Sequence, residues 1–191
     1  MPLNIPNLLT WLRIVLIPLF VAVFYLPHSW ISGHEANLVA TAIFAIAALT
    51  DWLDGYLARS LNQTSAFGAF LDPVADKLMV AAALIVLVKL GRVDAMVSLV
   101  IIGREIAISA LREWMAKIGA SKSVAVSFLG KVKTTAQMAA ILLLLYHEKM
   151  PLIDAQTVGT GLIYIAAILT LWSMAYYLRM ALPHALKSGQ P

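Results

Sequence analysis

The sequence predicts an all-α integral membrane protein, a bundle of six transmembrane helices. Two observations carry that prediction. Of 191 residues, 61% are hydrophobic and only 13% are charged, whereas a soluble domain is roughly half apolar and about a quarter charged. So few charges leave a soluble surface uncovered, which excludes a cytosolic globular enzyme, a disordered chain and a basic nucleic-acid-binding domain. In addition, apolar runs of about the 20 residues that a spanning helix needs recur along the chain. The reading is a single domain over residues 1–191. The 24 formal charges, 14 Lys+Arg and 10 Asp+Glu, are scarce, so their positions should carry the function.

The first run covers about 8–26 and contains Arg13 near its start. No Lys or Arg precedes it and no small-residue cleavage pattern follows, so it reads as an uncleaved membrane segment and not a signal peptide. The second covers about 37–58, the third 73–90 and the fourth 94–114. The fifth, about 132–146, is short and has an alternative start near 124. The sixth covers about 155–179.

Basic residues orient the bundle. The connections after runs one, three and five hold Lys89, Arg92 and Lys149, while eleven Lys and Arg lie on the other side. Without Arg13, Lys77 and Arg104, which sit inside apolar runs, the bias is still eight against three. Both termini and the 59–72 and 114–131 connections are therefore expected in the cytoplasm. The net charge of +4 suits cationic cytoplasmic loops and anionic lipid phosphates. The absence of cysteine excludes disulfides, thiolate metal sites and Cys nucleophiles.

Four acids interrupt runs two and three: Asp51, Asp54, Asp72 and Asp76. A carboxylate in a membrane segment is costly and usually marks a site. Asp51 and Asp54 are i,i+3, and Asp72 and Asp76 are i,i+4, so each pair shares a helix face. A short connection brings the pairs together near the cytoplasmic interface. Four clustered carboxylates repel, and a divalent cation neutralises them. All-oxygen ligation selects a hard ion, Mg²⁺, Mn²⁺ or Ca²⁺. His28, His34 and His147 fall in expected outer loops and His184 in the tail, which disfavours zinc. Four acids can hold two ions, an arrangement common in phosphoryl displacement. Pairing with Arg59 and Lys77, or a proton relay, is the alternative.

Gly55 and Ala58 extend the Asp51–Asp54 face, and Arg59 closes it. Such small residues suit either close helix packing or the approach of a bound nucleotide or phosphate. Asn7, Thr10 and Arg13 follow at three-residue spacing on one face of the first helix and are expected to line the cytoplasmic mouth of the site. An N-capping Asn and a snorkelling Arg explain the same pattern. Arg104 and Arg112 lie about 80° apart around a helix, and Lys131 and Lys133 enter the next run. Arg104 sits among isoleucines, whereas Arg112, Lys131 and Lys133 also read as ordinary cytoplasmic anchors. Glu105 is expected to pair with a neighbouring Arg. Trp11, Trp30 and Trp114 near run ends need only the interfacial explanation.

The stretch Asp51-x2-Asp54-Gly55-x2-Ala58-Arg59-x8-Gly68-x3-Asp72-x3-Asp76 resembles the signature of the CDP-alcohol phosphotransferases, with all eight fixed positions met. Asn4 to Arg13, Gly103-Arg104-Glu105 to Arg112, and Gly130-Lys131-Val132-Lys133 are similar to the branch of that family that makes phosphatidylglycerophosphate. The resemblance implies transfer of a phosphatidyl group from CDP-diacylglycerol to sn-glycerol 3-phosphate, with release of CMP. It implies that Asp51, Asp54, Asp72 and Asp76 bind two Mg²⁺ (or Mn²⁺) and that Asp76 is the general base. It further implies that Gly55, Ala58, Arg59 and Gly68, with Asn7 and Thr10, contact the CDP-lipid. Arg104, Arg112 and Lys131, with Arg13, are assigned to the glycerol phosphate by resemblance and by charge. Membrane lipids, no nucleic acid, a homodimer and a bacterial inner membrane are the implied setting. Other acceptors (inositol phosphate, serine or phosphatidylglycerol) and an ion-coupled or divalent-cation transporter are the competing readings.

Overall fold

The computed structural model describes residues 5–60, 66–119, 128–148 and 154–188. Six α-helices and no strand occur among them. In chain order they are α1 (Ile5–Val23), α2 (Gly33–Ser60), α3 (Ala66–Lys89), α4 (Ala95–Lys117), α5 (Phe128–Tyr146) and α6 (Ala155–Ser188). The expected runs correspond to these six helices with shifted ends. The largest shift at a helix start is in α3, which begins at Ala66 and runs through Pro73. Proline removes one backbone donor and crowds the preceding turn, yet the helix continues, so Asp72 and Asp76 share one helix. Similarly, α5 starts at Phe128, between the two expected starts. His34, expected in a loop, lies in the first turn of α2.

Local chemistry fixes the helix ends away from the acidic motif. Ser32 and Glu35 form a reciprocal capping box at the start of α2: the Ser32 N–H donates to Glu35 Oε2 at 2.8 Å, and the Glu35 N–H donates to Ser32 Oγ at 3.2 Å. Gly91, at φ +68, ends α3. The Arg92 N–H reaches the Leu87 carbonyl and the Gly91 N–H reaches that of Val88, the paired bonds of a glycine C-terminal motif. Asp94 then caps α4 by accepting from the Met96 and Val97 N–H groups.

Helix α3 packs against α1, α2, α4 and α5, while α6 packs against α4 and α5. Phe20, Phe44, Leu84, Leu87, Ile141 and Leu144 form the centre of the main apolar core. A second small core of Ile108, Met115, Tyr177 and Ala181 joins α4 to α6. The outside is apolar as well: Leu8, Val15, Ile85, Leu99, Ile168 and Trp172 are all at least 60% exposed. Arg13, Arg104, Lys133, Thr10 and Gln137, in contrast, are buried. Polar groups inside and apolar groups outside invert the soluble pattern.

Helices α2, over Gly33–Asp51, and α6, over Ala155–Leu182, are long and apolar enough to cross a membrane. Shorter apolar helices cover Asn7–Val23 and Val132–Tyr146. Two such helices are fewer than the six spans expected. Charge accounts for the difference in the other two: α3 carries Asp72, Asp76 and Lys77, and α4 carries Arg104, Glu105 and Arg112.

Candidate active site

Helix α1 organises the acidic motif. Thr10 and Arg13 stand one turn apart on it. The Thr10 hydroxyl donates to Asp72 Oδ1 on α3 at 2.5 Å. Arg13 Nη1 lies 2.9 Å from Asp51 Oδ1 on α2. Arg13 is 1% exposed, so Asp51 supplies charge to a guanidinium that water does not reach. One turn of α1 therefore gathers an acid from each half of the motif. Asp76, one turn after Asp72, lines a narrow space with Arg13, Phe44 and Met79. Asn7 is buried on the same stretch of α1, and Gly68 is buried at the start of α3.

The side chains of Asp54, Gly55, Ala58, Arg59 and Lys131 lie outside the described residues. Among the described residues no three His, Asp or Glu side chains form a cluster of the kind that holds a metal. Asp51 and Asp72 are each engaged by α1, and Asp76 has Arg13 and Asp51 within electrostatic reach. The donors on this wall are carboxylates and a hydroxyl, without thiolate or imidazole. That chemistry fits a hard divalent cation. His34 is at the other end of the bundle, 2.7 Å from Glu148.

Asp76 also lines a second cavity, of about 50 Å³, together with Lys77, Val80, Glu105, Lys133, Thr134, Gln137 and Met138. Glu105 is its charge hub. The carboxylate lies 3.2 Å from Arg104 Nη1 and is in contact with the Lys133 ammonium. The expected pairing of Glu105 with an Arg is thus present, and a lysine from α5 joins it. Lys133 is 3% exposed, which is not how a surface anchor sits.

Arg104 and Arg112 do share a face, and that face meets α6. Arg104 Nη2 donates to Ser173 Oγ at 2.8 Å, and Arg112 Nη2 donates to the Tyr177 hydroxyl at 3.3 Å. Both guanidinium groups lie over the Tyr177 ring, at 5.9 and 5.3 Å from its centroid. The buried Nε donors of Arg104 and Arg112 have no partner among the described residues. A buried cation with an idle donor is suited to an incoming anion.

Sequence reasoning passed over Lys133 as a site residue and took no motif from α6. A signal for α6 exists: Thr170, Ser173 and Tyr177, at i, i+3 and i+7, are buried on one stripe of an otherwise apolar helix. Gln137, four residues after Lys133, offered the same kind of signal on α5.

The profile of the CDP-alcohol phosphatidyltransferases matches residues 3–172, nearly the whole chain. The chain belongs to this family. It is 52% identical over 183 residues to the CDP-diacylglycerol–glycerol-3-phosphate 3-phosphatidyltransferases of Salmonella typhimurium and Shigella flexneri, and 51% to that of Escherichia coli K12. Each match covers 95% of this chain and 96% of the relative. Membership accounts for a motif of acids held beside an Arg-lined, otherwise apolar bundle: family members transfer a phosphate-bearing group to an alcohol.

Proposed function

We propose that the chain transfers the phosphatidyl group of CDP-diacylglycerol to sn-glycerol 3-phosphate, giving phosphatidylglycerophosphate and CMP in phospholipid biosynthesis. The observation that carries this is the 52% identity to phosphatidyltransferases of that name across 95% of the chain. The geometry supports it. An acceptor that bears its own phosphate needs cations apart from the acidic motif. Arg104 and Arg112 supply buried, partly idle guanidinium donors, and Lys133 stands beside Asp76. Arg104, Arg112, Arg13 and Lys131 are assigned to the glycerol phosphate. Asn7, Thr10, Gly55, Ala58, Arg59 and Gly68 are assigned to the CDP-lipid.

The reaction makes and breaks one bond each. The acceptor hydroxyl oxygen forms a bond to the lipid-bearing phosphorus. The bond from that phosphorus to the CMP oxygen breaks, and CMP leaves with the electron pair. The hydroxyl proton passes to a carboxylate, and Asp76 is the acid that faces both cavities. Asp51, Asp54, Asp72 and Asp76 would hold two Mg²⁺ or Mn²⁺ ions. Bound there, such ions offset negative charge on the pyrophosphate and on the leaving CMP. Thr10 and Arg13 hold Asp72 and Asp51 in place.

The inverted surface supports a membrane setting, and the family resemblance is the ground for the rest of it, the homodimer included. The chain is one domain of six spans in a bacterial inner membrane, with both termini and the acidic motif on the cytoplasmic side, and it works as a homodimer. The decisive assay is CMP release by purified protein given CDP-diacylglycerol, Mg²⁺ and a panel of alcohols. Release is expected with glycerol 3-phosphate, is lost with EDTA and returns with Mg²⁺. Release with inositol phosphate, serine or phosphatidylglycerol only would overturn the acceptor. Metal flux without nucleotide turnover would favour a transporter.

A further inference from the structure

Not every polar group around the cavity that Asp76 shares with Lys133 and Glu105 has a role in the reaction above. Gln137 lines it from α5, one helical turn beyond Lys133 and on the same face. The residue is 4% exposed, and its Oε1 has no hydrogen-bond partner among the described residues. A buried acceptor left unpaired is costly and calls for an explanation. Neither lysine that lines the cavity supplies one: Lys77 and Lys133 do not donate to Oε1, and Lys133 is in contact with Glu105. The cavity, about 50 Å³, is large enough for the hydroxyl-bearing end of a small alcohol and too small for a whole lipid headgroup.

We propose that Gln137 determines specificity for the alcohol by accepting a hydrogen bond from its non-reacting hydroxyl. This rests on the glycerol-phosphate reading. Glycerol 3-phosphate carries two free hydroxyls on adjacent carbons. Asp76 serves the one that attacks phosphorus. An amide oxygen takes up no proton at neutral pH, so Gln137 is unsuited to that hydroxyl and suited to its neighbour. The ligand class is a vicinal diol carrying a phosphate. Once bound, its secondary O–H satisfies Oε1, and the primary hydroxyl is held on the Asp76 side. An acceptor without the secondary hydroxyl leaves Oε1 unpaired in the complex, and a site built to hydrogen-bond a hydroxyl rejects such an analogue.

The test compares glycerol 3-phosphate with 3-hydroxypropyl phosphate, which has the same phosphate and primary hydroxyl and lacks the secondary one. CMP release gives kcat/KM for each. The unmodified protein is expected to prefer glycerol 3-phosphate by about 10- to 100-fold. Gln137→Leu should shrink that preference below about threefold, mainly by slowing the natural substrate. Gln137→Glu, which keeps an acceptor at the same reach, should retain most of it. Because the ratio is taken within one preparation, the amount of active protein cancels. Gln137→Met serves in the same way if the leucine variant does not fold. An unchanged preference in the leucine or methionine variant, or no preference in the unmodified protein, overturns the proposal. No CMP release by the unmodified protein from either compound would instead overturn the glycerol-phosphate reading.

Discussion

Asp51 carries a salt bridge to a fully buried arginine, and Asp72 accepts from a threonine on the same helix turn. These contacts distinguish three acids that look equivalent in the sequence. Asp51 and Asp72 are held by α1, whereas Asp76 opens onto both cavities and has Asp51, Arg13, Glu105 and Lys77 within electrostatic reach. A group in that position can exchange a proton with substrate. Asp76→Asn keeps the shape and removes the base, and general-base catalysis is worth about 10²–10⁴-fold. CMP release should fall by at least about 100-fold, while CDP-diacylglycerol still binds in a turnover-free assay. Wild-type turnover in that variant would remove Asp76 from the proton-transfer role. At this scale the acids and Arg104 were legible in the sequence, because charges are conspicuous among apolar residues. Ser173 and Tyr177 were not singled out, and Lys133 was named without a place in the site. Their importance comes from what they touch across 28 to 69 residues of chain.

At the scale of elements, α5 and α6 share the most extensive helix contact among the described residues. Gly159 is where they approach: an added Cβ would meet Leu144 Cγ at 2.8 Å and Leu143 Cβ at 3.2 Å. Leu144 is fully buried in the main core, so it cannot swing aside. Small residues at such crossings let helices approach closely in a bilayer. Alanine gains about 1 kcal/mol of helix propensity over glycine, but overpacking costs about 1–3 kcal/mol. Gly159→Ala should therefore be neutral to destabilising, and Gly159→Val should lower the melting temperature in detergent clearly. A melting temperature for the valine variant equal to the parent would show that α5 and α6 separate without cost. The far end of the bundle is fastened differently. Arg92 Nη1 donates to the Leu144 and Leu145 carbonyls, and Arg92 Nη2 donates to Asn37 Oδ1. A cation there satisfies carbonyls left over at the end of α5. Sequence reading counted Arg92 only as an outer-loop charge.

For the whole molecule, the testable property is which way round it sits. Every described residue of the candidate site lies toward the ends where α1 begins, α2 finishes and α3 begins. The Arg92 and His34–Glu148 contacts lie toward the opposite ends. The excess of Lys and Arg on the site's side is the basis for the proposal that this side faces the cytoplasm. The chain has no cysteine, so single cysteines report without background. In inverted-leaflet comparisons, Lys117→Cys should react with a membrane-impermeant thiol reagent only from the cytoplasmic side. Lys89→Cys should react only from the other. Labelling of both from one side would discard the topology while leaving the fold intact.

The sequence by itself determined the helical class, the number of helices, the acidic motif and the family. Each depends on composition, periodicity or fixed spacing along one segment. It also determined that Arg104 and Arg112 share a helix face, since that follows from eight residues of helical rotation. Only the tertiary structure decided what those faces meet. It set α6 behind the two arginines, drew Lys133 and Glu105 into the Asp76 cavity, and left Gln137 Oε1 buried with no partner among the described residues. It also carried α3 through Pro73, where local rules suggest a helix start. Contacts between distant segments depend on how six helices pack, and an almost uniformly apolar sequence holds little record of that packing outside its few polar residues.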